Sequence, residues 1–185
     1  MAGAVARKYL IGHADADQAA QQPGAEQPAP SGPPVQPLSV IKSHAPTVLP
    51  AISFMSADGG AHTLEQYRGH GVVLNLWATW CVPCVSEMPA LDALARTLAP
   101  AGIQVLTVSL DRGGADAVRP FYAAHGIHTL PMLLDPHSTI LAALGLDGIP
   151  TTLLVNAGGM EVARLQGPVD WASPEAAALI GHLLG

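Results

Sequence analysis

Two continuous apolar runs, GVVLNLWA at 71–78 and IQVLTVSL at 103–110, limit the folds open to this chain more than any other feature. Each run has the length of a strand, and strands that are apolar at every position are typical of sheets buried on both faces. Between them, from 82 to about 98, leucine and alanine recur at helical spacing. Strand, helix and strand in this order predict a right-handed βαβ unit with parallel strands.

Shorter signals extend this unit into an α/β domain. The segments AISFMSADGGAHTL and PTTLLVNAGGMEVARLQG each hold two apolar stretches around a glycine pair, which predicts two β-hairpins. Helices are expected at 115–125 and 138–144 with a short strand at 132–134 between them. The C-terminal SPEAAALIGHLL predicts a last helix, with Ser173 as its N-cap and proline in its first turn. The sequence therefore predicts a central mixed sheet flanked by helices.

The N-terminal part of the chain has a different composition. The stretch ADADQAAQQPGAEQPAPSGPPVQP at 14–37 is rich in Pro, Ala and Gln and has no apolar periodicity. We therefore predict a flexible segment over 1–45 and a single folded domain over 46–185. The net charge is −6 and the few basic residues form no cluster, which argues against nucleic acid or an anionic membrane as partner.

The stretch WATWCVPC, at 77–84, contains both cysteines of the chain and lies where the first buried strand gives way to the helix. A thiolate at a helix N-terminus faces unpaired backbone N–H groups and the positive end of the helix dipole. We therefore expect Cys81 to have a lowered pKa and to act as the nucleophile. Cys84, one turn further along, is suited to attack the mixed disulfide that Cys81 forms with a substrate.

Three other uses of the cysteine pair are open. A structural zinc site needs four ligands, and this chain has no second cysteine pair and no downstream histidine pair at His-x3-His to His-x5-His spacing, so no metal is expected. A Cu(I) carrier could use the two soft thiolates, and Met88 or Met132 could add a third ligand. A peroxiredoxin-like peroxidase would carry a Pro-x3-Thr-x2-Cys context, which is missing here. The pattern favours a dithiol–disulfide site.

NLWATWCVPC, followed by IPT at 149–151, resembles the thioredoxin superfamily. CVPCVSEMPAL, with a glutamate three residues after the second cysteine, resembles more narrowly its periplasmic TlpA/ResA/CcmG branch. GPVDWAS at 167–173 is similar to TlpA-like members of that branch. The resemblance covers the chain from about Pro46 to its C-terminus and leaves out the N-terminal segment.

The resemblance implies a thioredoxin-like fold, with an N-terminal β-hairpin and with 111–146 as the extra αβ insertion of the branch. It implies reduction of disulfides in particular partner proteins: a Sco-type copper chaperone, cytochrome oxidase subunit II, or cytochrome c maturation clients. Electrons would come from a membrane thiol reductant, with no organic cofactor, and the protein would act as a monomer. Its location would be periplasmic, either as this chain, which shows no signal or anchor, or in a longer, membrane-anchored form.

The resemblance also assigns residues to the site. Pro150 matches the family's cis-proline, and the backbone of Ile149 would pair with the extended substrate. The substrate surface would further include Trp80 and the dipeptide between the cysteines, which is Val82 and Pro83.

Asn75 stands where thioredoxins carry a buried aspartate that moves the proton of the second cysteine. An amide cannot take that proton. Glu87 lies three residues after Cys84 and therefore on the same helix face, so we expect it to be the replacement proton acceptor. The alternative is a solvated surface glutamate.

Overall fold

The computed structural model of the protein describes residues 36–38, 41 and 43–185. Within these residues eight strands form one sheet in the order β1-β8-β7-β4-β5-β6-β2-β3. The strands are β1 (Ser43–Val48), β2 (Ser53–Ser56), β3 (Ala61–Thr63), β4 (Val72–Trp77), β5 (Gln104–Ser109), β6 (Leu133–Leu134), β7 (Thr151–Val155) and β8 (Met160–Gln166). The α-helices are α1 (Val82–Leu98), α2 (Ala115–His125), α3 (Thr139–Leu144) and α4 (Pro174–Leu184).

Strand β4 lies at the centre of the sheet. Together with α1 and β5 it forms the βαβ unit that the sequence predicts. It pairs in parallel with β5 and antiparallel with β7, and all six of its residues are buried. Because side chains alternate along a strand, Val73 and Trp77 enter the core on one face, whereas Leu74 and Leu76 enter the core on the other. Burial on both faces is the reason that this strand reads as a continuous apolar run.

Both predicted hairpins are present. Strand β2 pairs antiparallel with β3, and β7 pairs antiparallel with β8. The predicted insertion, 111–146, contains α2, β6 and α3, and β6 enters the sheet between β5 and β2. The thioredoxin-like α/β fold with a mixed central sheet is therefore confirmed.

The domain begins ahead of the predicted boundary between residues 45 and 46. Strand β1 starts at Ser43 because the free edge of β8 offers it hydrogen-bonding partners. Further upstream, Gln36 forms an isolated parallel bridge with Val169. Its backbone N–H donates to the Pro168 carbonyl (2.8 Å), and its own carbonyl accepts from the Asp170 N–H (3.2 Å). Most of 1–45 lies outside the described residues, so its flexibility stays a prediction.

Helix α4 begins at Pro174 with Ser173 in the N-cap position, as predicted. The capping hydrogen bond is absent, however, and the buried Ser173 hydroxyl has no partner within the part of the chain that the structure describes. The helix is instead held by packing, because Ala176 and Ile180 are completely buried in the core that α1 also enters. Among the described residues, no helix combines the length and the apolar character needed to cross a membrane.

Candidate active site

The two cysteines lie at the junction between β4 and α1, as the sequence predicts. Cys81 is the N-cap residue of α1, and the Cys84 backbone N–H donates to its sulfur at 3.3 Å. Pro83 lies in the first helical turn, where a missing N–H leaves no hydrogen bond unmade. The Cys81 sulfur therefore lies where backbone N–H groups and the helix dipole favour negative charge.

Cys81 and Cys84 are joined by a disulfide, with 5.2 Å between their Cα atoms. Both are buried, but unequally: Cys81 is 6% exposed and Cys84 only 1%. An incoming sulfur would therefore reach Cys81 first. Among the described residues, no three His, Cys, Asp or Glu side chains come together as a metal site would require.

The predicted cis-proline lies beside the cysteines. The Ile149–Pro150 peptide bond is cis, and the Ile149 carbonyl oxygen is 3.9 Å from the Cys81 sulfur. The juxtaposition follows from the sheet, because Thr151 at the start of β7 pairs with Leu76 near the end of β4. The loop is braced by a 2.7 Å hydrogen bond from the Thr151 hydroxyl to the Gly148 carbonyl.

The remaining predicted substrate residues adjoin Cys81 in the chain and are apolar. Trp80 is 67% exposed and Val82 is 70% exposed, although both are large apolar side chains. Pro83, which follows Val82 in the chain, is half-buried. By contrast, Trp77 is fully buried and packs against Phe121, with ring centroids 4.9 Å apart. Exposed apolar side chains beside a reactive sulfur suit contact with another polypeptide.

Glu87 is buried and does not have the character of a solvated surface glutamate. It is 4% exposed, and its Oε1 accepts hydrogen bonds from the Val169 backbone N–H and the Trp171 indole Nε1–H, both at 2.7 Å. Its Oε2 is buried without a hydrogen-bond partner among the described residues. Burial raises the pKa of Glu87 to about 7, against the lowering effect of the two donors. The carboxyl can thus gain and lose a proton near neutral pH.

Asn75 is buried and uncharged, and its side-chain amide donates to the Thr152 hydroxyl at 2.9 Å. This side chain links β4 to β7 and offers no base. Glu87 is the buried carboxyl of α1 that lies nearest to Cys84 along the helix, three residues beyond that cysteine.

Sequence reasoning missed Asp111, which is buried directly beyond β5. Its carboxylate accepts hydrogen bonds from the Thr79 backbone N–H (2.9 Å), the Thr79 hydroxyl (2.6 Å) and the Ser109 hydroxyl (2.7 Å). Asp111 thus holds the turn that carries Trp80 and Cys81. The available signal was a carboxylate at the end of a buried parallel strand, at the same sheet edge as the cysteine motif.

Sequence reasoning also gave no role to Val169 and Trp171, which hold the Glu87 carboxyl. From the sequence, the motif GPVDWAS that contains them indicates only a family resemblance. The two donors lie more than 80 residues beyond Glu87 in the chain. No local sequence pattern can therefore predict the contact.

A cysteine pair at a strand-to-helix junction, beside a cis-proline loop and within this sheet, defines the site of a thioredoxin-like protein. Residues 45–161 match the AhpC/TSA family, and the chain belongs to that family. Within it the chain is a thioredoxin-like protein of the TlpA/ResA/CcmG type.

Curated relatives include the thiol-disulfide oxidoreductase ResA of Geobacillus thermodenitrificans. It is 36% identical over 102 residues, which are 55% of this chain and 58% of ResA. ResA of Halalkalibacterium halodurans is 28% identical over 137 residues, 68% of this chain and 77% of that protein. The chain thus spans less than two thirds of the first of these relatives.

Solved structures share the fold over a longer range. A thiol:disulfide interchange protein of the thioredoxin family from Chlorobium tepidum superposes with a TM-score of 0.63 at 25% identity, covering 77% of this chain and 99% of that one. The exposed lipoprotein thioredoxin of Streptococcus pneumoniae gives a TM-score of 0.61 at 27% identity, covering 73% of this chain and 100% of that one.

Proposed function

We propose that the protein is a thiol-disulfide oxidoreductase that reduces disulfides in protein clients through Cys81 and Cys84. The observation that carries this proposal is the placement of the Cys81 sulfur, at the N-terminus of α1 and 3.9 Å from the Ile149 carbonyl of the cis-proline loop. An extended client segment can pair with that loop while its sulfur approaches Cys81. The names and folds of the relatives support the same activity.

The reaction has two exchange steps. The Cys81 thiolate attacks one sulfur of the client disulfide, that disulfide breaks, and a mixed disulfide remains between Cys81 and the client. Cys84 then attacks the Cys81 sulfur, and the client leaves with both of its sulfurs reduced. Two electrons have passed to the client, and the Cys81–Cys84 disulfide has formed. The pair is the whole redox group, and no organic cofactor is needed.

The second step needs a base, because burial raises the pKa of a thiol and disfavours its thiolate. Glu87 is the base in this proposal: it takes the proton of Cys84 at the moment of attack, directly or through a water. A carboxyl with a pKa of about 7 is suited to accept and release a proton near neutral pH.

The clients in this proposal are extracytoplasmic proteins with a disulfide at a metal or haem assembly site: a Sco-type copper chaperone, cytochrome oxidase subunit II, or a cytochrome c maturation protein. The protein would act in the periplasm as a monomer and would be re-reduced by a membrane thiol reductant. The apolar surface of Trp80 and Val82 supports contact with a polypeptide client.

Trapping experiments test the assigned roles. Cys84→Ser should accumulate mixed disulfides with a client protein, because the second step is blocked, and non-reducing electrophoresis would display them. Cys81→Ser is the matched control and should trap none. Equal trapping by the two variants would contradict the division of roles.

Insulin reduction, Cu(I) titration and hydrogen peroxide consumption separate this proposal from the copper carrier and the peroxidase. The oxidoreductase should reduce insulin and should not consume peroxide catalytically. Leu74 and Ala78 occupy the positions at which the peroxidase pattern has its proline and threonine. Catalytic peroxide consumption without insulin reduction would favour the peroxidase.

A further inference from the structure

The hydrogen bonds of Glu87 are distributed unequally over its two carboxyl oxygens. Both donors, the Val169 N–H and the Trp171 indole N–H, point at Oε1, whereas Oε2 is buried without a partner among the described residues. An oxygen that faces two N–H donors cannot also carry a proton without placing hydrogen against hydrogen. The proton of the neutral carboxyl must therefore sit on Oε2.

Trp171 is itself held in place. It is 2% exposed, and the Gln36 bridge to Val169 pairs the segment that carries the two donors with another part of the chain. A buried indole N–H with one fixed acceptor fixes the orientation of that acceptor in turn.

We propose that Trp171 is the positioning residue of the proton acceptor: its indole N–H fixes the Glu87 carboxyl so that Oε2 alone exchanges the proton. This inference rests on the proposed function, from which it takes the reaction, a thiol–disulfide exchange. In the second exchange step, the Cys84 S–H bond breaks as sulfur attacks Cys81, the proton passes to Oε2, and the client sulfur leaves as a thiolate. Oε1 keeps its two donors throughout, so the carboxyl does not need to rotate.

Other titratable groups near α1 do not set the protonation of Glu87. Strand β5, which packs on α1, has none, and on α1 itself Asp92 and Arg96 pair with each other. The titratable groups on the segment that follows β8 and on α4 are exposed, namely Asp170, Glu175 and His182. The pKa of Glu87 is therefore governed by burial and by the two donors.

The test compares two buried tryptophans. Trp171→Phe removes the indole N–H and keeps a buried aromatic ring. Trp77→Phe is the matched control, because the Trp77 indole N–H is buried without a partner among the described residues. The first readout is the midpoint of the Glu87 carboxyl titration, followed by carbon NMR in the oxidised protein, where no thiol titrates.

Trp171→Phe should move the Glu87 midpoint upward by about one pH unit, since a hydrogen bond to a charged group is lost. Trp77→Phe should leave the midpoint in place. Client exchange by Trp171→Phe should then fall about five-fold at pH 7, because the ionised fraction of Glu87 falls from about one half to about one tenth, and should recover at higher pH. In a Glu87→Gln background, Trp171→Phe should cause no further change in the rate of client exchange.

A wild-type measurement keeps the proposal testable even if Trp171→Phe fails to fold. The Trp171 indole N–H resonance should titrate with the Glu87 midpoint and stop doing so in Glu87→Gln, whereas the Trp77 resonance should not follow it. An unmoved Glu87 midpoint in Trp171→Phe, or an indole resonance indifferent to Glu87, would overturn the proposal. A shifted midpoint with exchange unaffected by Glu87→Gln would instead keep the positioning role and refute the catalytic role of Glu87.

Discussion

Helix α1 carries two buried carboxyls, Glu87 and Asp92, whose pKa values move in opposite directions. Both are at most 4% exposed. The Asp92 Oδ1 accepts three backbone N–H groups, from His128, Thr129 and Leu130, and its Oδ2 accepts from Arg96. Glu87 has two donors, both on one oxygen, and forms no ion pair with any residue that the structure describes.

Burial raises the pKa of both carboxyls, and the number of donors decides the outcome. At Asp92 the three N–H groups and Arg96 outweigh burial, so its pKa falls below the usual range and the group stays charged. At Glu87 burial prevails. One carboxylate therefore serves as a fixed structural charge that holds the loop at 128–130, whereas the other remains able to take a proton.

Glu87→Gln should produce the largest effect. Glutamine keeps the size of the side chain and an oxygen for the two donors, but it cannot accept the proton of Cys84. Resolution of the mixed disulfide should slow by a factor of about 10² to 10⁴ near pH 7, as expected when a general base is lost. Stopped-flow exchange with a client disulfide measures it. If the variant exchanged at the wild-type rate, Glu87 would not be the proton acceptor, and another group would have to take the proton.

Asp92→Ala should have the opposite profile, with a loss of stability and an intact exchange rate. It leaves the backbone N–H groups of the loop and the Arg96 cation without their acceptor. We expect a loss on the order of 3 kcal/mol in the free energy of unfolding. Urea denaturation of the oxidised protein measures it, with Glu87→Gln as the control. A stable Asp92→Ala with slow exchange would reverse the comparison.

The pH dependence of stability should separate the two carboxyls. The folded Glu87 has a pKa of about 7 against an ordinary 4.5, so between these values the folded state binds more protons than the unfolded state. Its contribution to stability is complete below about pH 4.5 and is lost as pH rises through 7, by at most about 1.4 kcal/mol per pH unit. Asp92, with a lowered pKa, stabilises above its ordinary 3.8, and that contribution is lost as pH falls.

The measurement is the difference in unfolding free energy between wild type and Glu87→Gln across this range, in which all other groups cancel. The unfolding free energy of wild type should rise progressively relative to that of Glu87→Gln as pH falls from 7 toward 4.5. A difference that does not vary with pH would mean that Glu87 titrates as an ordinary carboxyl.

Arg96→Ala should give the smallest effect. Arg96 is 57% exposed, and the three backbone donors remain to hold Asp92 without it. We expect a loss of about 1 kcal/mol or less in unfolding free energy. Arg68→Ala, in the exposed pair with Glu65, is the control and should change stability by less than about 0.5 kcal/mol. A loss as large as that of Asp92→Ala would assign the low pKa of Asp92 to the cation rather than to the backbone.

The sequence predicted the features that depend on local pattern. Strands β4 and β5 and helix α1 follow from runs and periodicities within single segments, and the placement of Cys81 follows from their order. The cis bond at Pro150 came from resemblance, since no local pattern distinguishes it from a trans proline.

The features that the sequence did not predict depend on contacts distant along the chain. Glu87 is three residues from Cys84 by simple spacing, but its burial is set by Val169 and Trp171 on a segment beyond β8. The role of Asp111 likewise requires Thr79 to lie across the sheet edge from it. Strand β1 began early because its partner edge is β8, which is more than 100 residues away.

The bridge between Gln36 and Val169 also has a mechanical consequence. Gln36 precedes β1 and bonds to both Pro168 and Asp170, on either side of the residue whose N–H holds Glu87. The Gln36 side-chain amide also donates to the Gln166 carbonyl at the end of β8 (2.8 Å), so a pulling force applied at Gln36 would load the 168–170 segment and this end of the sheet together. Because the Gly167 N–H donates to the Pro150 carbonyl (2.8 Å), the same force would reach the cis-proline loop as well as the residue whose N–H holds Glu87.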